Sequence, residues 1–220
     1  MTDIGNSITQ SVAFLARVYR ESINLSNLLK QEISAALLDA ELGRMYKSAG
    51  PWVETYQEDP SGCMYYSFGG SLPLARRPKH KPGSHLFFQI SLAGDGIAAS
   101  GCSEPLLHIG LWDDPISFPQ GYYMGFPLSG EAPVLEDGIL MRWPGVSPQG
   151  LWLYSQRLSA INTTDDIRRK VVEPIRSLLL GETAAVALTE SLAGIASYTA
   201  LGEPECGFAI SFIEPGHRSA

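Results

Sequence analysis

Charge is scarce in this sequence. Asp, Glu, Lys and Arg make up only 18% of the 220 residues, and the basic sign is the rarer one, 16 Lys and Arg against 23 Asp and Glu, a formal charge of −7. That balance argues against a nucleic-acid partner, because binding a phosphate backbone depends on neutralising it with cations. Cysteine is scarcer still. Cys63, Cys102 and Cys206 are odd in number and far apart, which excludes a disulfide framework and predicts three free thiols. No apolar run is long enough for a bilayer, since the uncharged stretch from Ser191 to Gly202 is short and rich in small residues. The opening Met1-Thr2-Asp3-Ile4-Gly5 has neither the basic nor the apolar part of a secretory leader. The expectation is a cytoplasmic protein with no membrane partner.

The motifs that announce common chemistries are absent too. The chain has no Gly-x-Ser-x-Gly elbow, no Gly-x-x-x-x-Gly-Lys-Ser/Thr phosphate loop, no His-Glu-x-x-His and no Cys-x-x-Cys. No cofactor and no metal are expected.

What is present is enough for one sizeable core. Hydrophobic residues reach 45%, and a chain of this length buries roughly 70% of its unfolded surface. A single α+β domain over 1–220 is expected, in three segments: helical 1–50, sheet-forming 51–160, and helices with a closing strand over 161–220. In the first, Ile8, Val12, Leu15 and Tyr19, then Leu29, Ile33, Ala36 and Ala40, follow helical spacing, widened by Leu25, Leu28 and Leu37. Ser22 and Ser26 interrupt this face, so the segment is either one long helix or a hairpin whose second arm is capped by Asn24 or Ser26. Asn6 or Ser7 is the expected first cap. Arg44 and Lys47 suit a last turn, and Gly50-Pro51 a stop, which makes 8–49 mostly helical. A face this apolar must cover the sheet or pair with a second copy of the chain.

The middle changes to a period of two. Met64, Tyr66 and Phe68, then Leu86 to Leu92, Leu107 to Trp112 and Leu151 to Tyr154 alternate as half-buried strands do. Gly69-Gly70, Pro82-Gly83, Gly94-Asp95-Gly96, Asp114-Pro115 and Pro148-Gln149-Gly150 mark the turns between them. Short strands with compact turns predict an antiparallel or mixed sheet, flanked by the N-terminal helical hairpin or long helix and by C-terminal helices. In the last segment Thr163 with Asp166 forms a variant of the capping box, Pro174 predicts a kink or restart, and Gly181 a stop. Thr183 starts a further helix over 184–200, with a strand pair as the alternative; 205–213 is a closing strand and the tail from Pro215 frays.

Candidate chemistry is dispersed. Cys63 precedes an aromatic strand and fits a buried structural thiol. Cys102, in the small-residue stretch Ala99 to Ser103, is the better nucleophile, with His85 or His108 as its base. His80, His85 and His108 could also form a metal set, although their spacing matches no known pattern. Asp113 and Asp114 could share a proton or hold a cation, but a solvated turn before Pro115 explains them as well. Arg76, Arg77, Lys79 and Lys81 form the one dense basic run, an anion clamp or a solvated loop.

From Pro82 to Gln156 the only Lys or Arg is Arg142, against Asp95, Glu104, Asp113, Asp114, Glu131, Glu136 and Asp137. The same region holds Trp112, Phe118, Tyr122, Tyr123, Phe126, Trp143, Trp152 and Tyr154. Aromatics beside acids suit recognition of a basic protein surface. The sequence therefore predicts a non-enzymatic interaction protein, such as a bacterial accessory, inhibitor or immunity-type protein. Its interface is drawn from Trp112, Tyr122, Tyr123 and Trp143, and its partner is another protein or a second copy held by the N-terminal helices. The alternative is an enzyme or small-ligand protein built from Cys102, His85, His108, Asp113 and Asp114.

Overall fold

The computed structural model describes residues 4–79, 81–92, 104–124, 133–143, 150–188, 193–202 and 207–213. The chain opens with one continuous helix, α1 (Ile4–Ala36), followed by a short turn, α2 (Leu42–Met45). Of the two forms the sequence allows, the long helix is the one adopted. Asn6 and Ser7 lie inside its first turns rather than capping it, and Asn24 and Ser26 cap nothing. Ser22 and Ser26 do not interrupt the stripe; both are buried in it with Leu29 and Ile33. The Ser22 hydroxyl donates to the Val18 carbonyl at 2.9 Å, so burial leaves it satisfied by its own helix. Positions 8, 12, 15, 19, 22, 26, 29 and 33 then form an unbroken line with alternating spacings of four and three.

The expected helix over 8–49 is corrected at its end. Tyr46–Ser48 is a strand, β1, which pairs with residues 74–76. Arg44 sits in α2, but Lys47 lies in the strand, and Gly50 follows a strand rather than a helix. The Tyr46 ring is buried and its hydroxyl donates to the Leu179 carbonyl at 3.1 Å. That anchor fixes the segment as extended chain, against its local helical preference.

Eight strands form one sheet, every described pair antiparallel: β1, β2 (Val53–Glu58), β3 (Tyr65–Arg76), β4 (Ser84–Ser91), β5 (Leu106–Trp112), β6 (Val134–Glu136), β7 (Leu140–Trp143) and β8 (Leu151–Arg157). The order is β1-β3-β4-β5-β8-β7-β6, with β2 also on β3. Gly69-Gly70, expected as a turn, lies in the middle of β3. A Cβ on Gly70 would sit 2.6 Å from the Phe88 ring, and one on Gly69 would meet Thr55 and Ile116 at 2.8 and 2.9 Å. These glycines serve close packing against neighbours that are distant in sequence, not a change of chain direction.

The alternation of β4 divides the core. Leu86, Phe88 and Ile90 face the helices together with Leu29, Ile33, Trp152 and Tyr154. Phe87 faces the opposite side with Met141, Leu151, Leu153 and Tyr198. On the helical side stand α1, α3 (Thr164–Ile167), a π-helical turn (Arg168–Val172), α4 (Glu173–Leu180) and α5 (Ala184–Ala187). Thr163 caps α3 with the full reciprocal box to Asp166. Pro174 produces the expected restart: it cannot donate to the Lys170 carbonyl, and the Tyr154 hydroxyl donates there instead, at 3.1 Å. Gly181 ends α4 with a left-handed backbone. The helix expected over 184–200 is limited to α5, and a single strand of the alternative pair forms beyond it: β9 (Ala196–Ala200) pairs antiparallel with β10 (Phe208–Phe212), which falls in the expected closing strand, and the two cover the second face. The expected frayed tail lies outside the described residues.

Ion pairs tie the helices to the body. Arg168 holds Glu32 through two nitrogens at 2.8 and 3.2 Å, and Lys30 pairs with Glu54 of β2. Among the described residues no helix is long and apolar enough to cross a membrane.

Candidate functional site

Among the described candidates, His85, Asp113 and Asp114 meet at one end of the sheet, and His108 does not join them. The His85 ring nitrogen Nδ1 lies 2.8 Å from the main-chain carbonyl of Asp113, at the end of the sheet. Asp113 and Asp114 are both exposed there. Burial, then the neighbouring Asp114, raises the Asp113 carboxyl above its usual range, and His85 opposes the shift. His108 stands apart, opposite Gln89, four residues along β4 from His85 and so about 13 Å away at 3.3 Å per residue. Cys102 and His80 lie outside the described residues. Among those described, no group of three or more His, Cys, Asp or Glu side chains is placed to hold a metal ion. Arg76 stands exposed at the end of β3, and Arg77, Lys79 and Lys81 stand exposed on the loop that follows it.

His108 belongs to a polar row that periodicity alone does not reveal. Its Nδ1 lies 2.7 Å from Ser155 Oγ on the next strand, and the Tyr198 hydroxyl reaches the same oxygen at 2.5 Å from β9. Gln89 extends the row on the other side, accepting from Met124 N–H at 2.8 Å and donating to its carbonyl at 3.0 Å. His108, Ser155 and Gln89 are fully buried between the sheet and the segments on its second face. A buried polar row of this kind helps to fix the register of the strands and of the segments that cover them. The available signal was Gln89 and Ser91 on the odd positions of β4, which share their face with apolar Phe87.

The aromatic surface expected from Trp112 to Trp152 is corrected. Trp143 is buried at 7% exposure and packs edge-on against half-buried Trp112 at 4.8 Å. Trp152 and Tyr154 lie in the helical-side core. Tyr123 is half-buried against Phe118, which leaves Tyr122, at 54%, as the exposed ring among the four interface candidates. Among the described acids of this region, two serve local partners. Glu136 is bound by Arg142 and by the Ala184 N–H, and Glu104 pairs with Arg157 at 2.8 Å. Burial opposes ionisation of Glu136, but those two partners outweigh it and hold its carboxyl below the usual range. Trp143→Ala should therefore lower stability by about 3–5 kcal/mol, the cost of a large-to-small change in a core. Tyr122→Ala should stay within about 0.5 kcal/mol. Urea unfolding of the two variants checks this, and equal midpoints would return Trp143 to the surface.

The exposed aromatic and apolar surface lies at the other end of the chain. The first half of α1 projects with Ile8 at 60% and Val12 at 62% exposure, and with Ile4, Leu15 and Tyr19 also exposed. Tyr19 stacks on Tyr65 at 5.7 Å, and Tyr56 closes the group, 5.7 Å from Tyr65 and edge-on to Phe68 at 5.8 Å. Burial, aided by the hydrogen bond to Glu54, pushes the Tyr56 hydroxyl up to about 12, so it stays a neutral donor. Beside the helix runs a groove of about 600 Å³, walled by Val12, Leu15 and Tyr19 on one side and Gly62, Cys63 and Met64 on the other. Cys63, expected in the core, is an exposed free thiol at its rim. It lies in a turn organised by Asp59, whose carboxylate accepts the Cys63 and Met64 N–H groups at 2.7 Å each. The sequence showed the helical face but not that half of it stays uncovered.

Comparison with family models, with curated proteins and with solved structures finds no match to this chain.

Proposed function

We propose that this chain is a non-enzymatic interaction protein, of accessory, inhibitor or immunity type, working through the free half of α1 and the adjoining groove. One observation carries this proposal: the apolar line of α1 continues unbroken from the core into solvent, through Tyr19, Leu15, Val12 and Ile8. Contiguous apolar surface beyond a few hundred Å² is uncommon on a protein that works alone and marks an interaction site. The Tyr19, Tyr56 and Tyr65 rings beside it are the residue type that supplies contact energy at low entropic cost. The partner this face suits is another protein, met by apolar contact more than by charge.

The test compares the wild-type chain with a Val12→Asp/Leu15→Asp variant, each immobilised in native lysate mixed with a differently tagged copy of the chain. Quantitative mass spectrometry should find at least one protein, the tagged copy included, retained by the wild type and depleted tenfold or more on the variant. Both substitutions are on exposed positions, so circular dichroism should show unchanged folding. An identical set of retained proteins on both would sink the proposal.

A further inference from the structure

We infer that the occupant of this face is a second copy of the same chain, whose α1 lies antiparallel along the first. The inference rests on the interaction reading above and specifies its partner.

Charge favours a self-complementary contact. From Ile4 to Ala16 the helix carries no Asp, Glu, Lys or Arg. A twofold contact brings each group near its own equivalent, and a neutral stripe meets no repulsion there. A basic or acidic partner would find little on this face to steer it.

Spacing favours a helix as the occupant. Ile8, Val12, Leu15 and Tyr19 repeat with intervals of four, three and four, the 3.5-residue period of a seam between two helices. Downstream the same line is already covered, since Leu29 and Ile33 are buried by the sheet. A partner helix lying on the free half must therefore end where the body begins. A parallel partner would drive its own continuation into that body. An antiparallel partner places its body at the far end, with Val12 near the twofold axis and Ile4 of one copy beside Tyr19 of the other. The overlap over 4–19 is about 24 Å at 1.5 Å per residue.

Area agrees. The exposed fractions of Ile4, Ile8, Val12, Leu15 and Tyr19 amount to on the order of 550 Å², scaled from roughly 150–250 Å² for a large side chain. Two copies bury at most about twice that, which reaches the roughly 1,000 Å² expected of a specific interface when the whole stripe is covered. The groove beside the helix receives the start of the partner's α1, with Ile4 and Ile8 entering between Tyr19 and Met64.

Sedimentation equilibrium of the purified full chain tests this. The expected result is a reversible monomer–dimer equilibrium in the micromolar range, insensitive to salt, with twice the mass of one chain at the upper concentrations. Val12→Asp/Leu15→Asp should weaken it at least a hundredfold while leaving the circular dichroism spectrum intact. Orientation is read by oxidation in a Cys63→Ser background, because Cys63 is an exposed thiol at the groove rim: Val12→Cys should give a covalent dimer on a non-reducing gel, and Ile4→Cys should not exceed the level of Cys63→Ser alone. A covalent dimer from Ile4→Cys would overturn the antiparallel arrangement. A purified wild type that stays monomeric at every concentration overturns self-association. If the lysate comparison still shows a different protein lost from the variant, the interaction function stands with a heterologous partner; if it shows none, both fail.

Discussion

Leu29→Asp should abolish the folded state or lower its stability by more than about 4 kcal/mol, whereas Val12→Asp should change the monomer by less than about 0.5 kcal/mol. The two residues occupy the same apolar line of the same helix, and a sequence-based scale treats them alike. Leu29 is fully buried within the helical-side core, where α1 meets the sheet that carries Phe88 and Ile90. An aspartate there must either strand a charge in apolar surroundings or take up a proton, and both are costly. Val12 is 62% exposed, so its replacement keeps its water. Urea unfolding monitored by tryptophan fluorescence distinguishes the two. The comparison belongs at low protein concentration, because self-association adds apparent stability by mass action. Comparable loss in both variants would mean that the first half of α1 is covered within the monomer.

The second large effect is expected at Gly110, in the middle of β5. A Cβ there would stand 2.6 Å from the Trp152 carbonyl oxygen and 2.7 Å from the Phe87 ring. The carbonyl is backbone of the neighbouring strand and cannot swing aside, so the β5–β8 spacing must open or the ring must leave its place. Gly110→Val should cost about 3 kcal/mol or more, at the upper end for overpacking a core. Gly83→Ala is the control, since nothing lies within 4 Å of the added carbon. It should remain within about 0.5 kcal/mol of the wild type. A Gly110→Val midpoint matching that of Gly83→Ala would show that the sheet has room at its centre. Phe87 over Gly110 on one face and Phe88 over Gly70 on the other are the same device. Successive rings of β4 lie against glycines of β3 and β5, the two strands that flank it, on opposite sides of the sheet.

The candidate site followed a different course from the core. The aromatics between Trp112 and Trp152 were conspicuous in the sequence because they crowd together with acids. Their crowding has a structural cause: β5, β7 and β8 are neighbours, and Trp112, Trp143 and Trp152 fill the layers on the two faces they share. The acids among them serve local partners, as Glu136 serves Arg142 and Ala184. Conversely, Tyr56 and Tyr65 drew no notice as surface residues. They form a cluster, Tyr56 exposed and Tyr65 half-buried, only because β2 pairs with β3 and brings them beside Tyr19.

The sequence alone determined the features that depend on near neighbours. The period of α1, the alternation in β4, β5 and β8, the Thr163 box, the Pro174 restart and the Gly181 stop all rest on backbone sterics and hydrogen bonds within a few residues. Tertiary structure alone decided which groups meet across the chain. It turned Gly69-Gly70 from a turn into a strand, drew Tyr46–Ser48 out of the helix, and gathered Gln89, His108, Ser155 and Tyr198 into one buried row. It also divided α1, covering Leu29 and Ile33 with the sheet and leaving Ile8 and Val12 in water. Periodicity records which side of an element is apolar. What lies against that side depends on how far the sheet extends beneath the helix, a length set by strands encoded elsewhere in the chain.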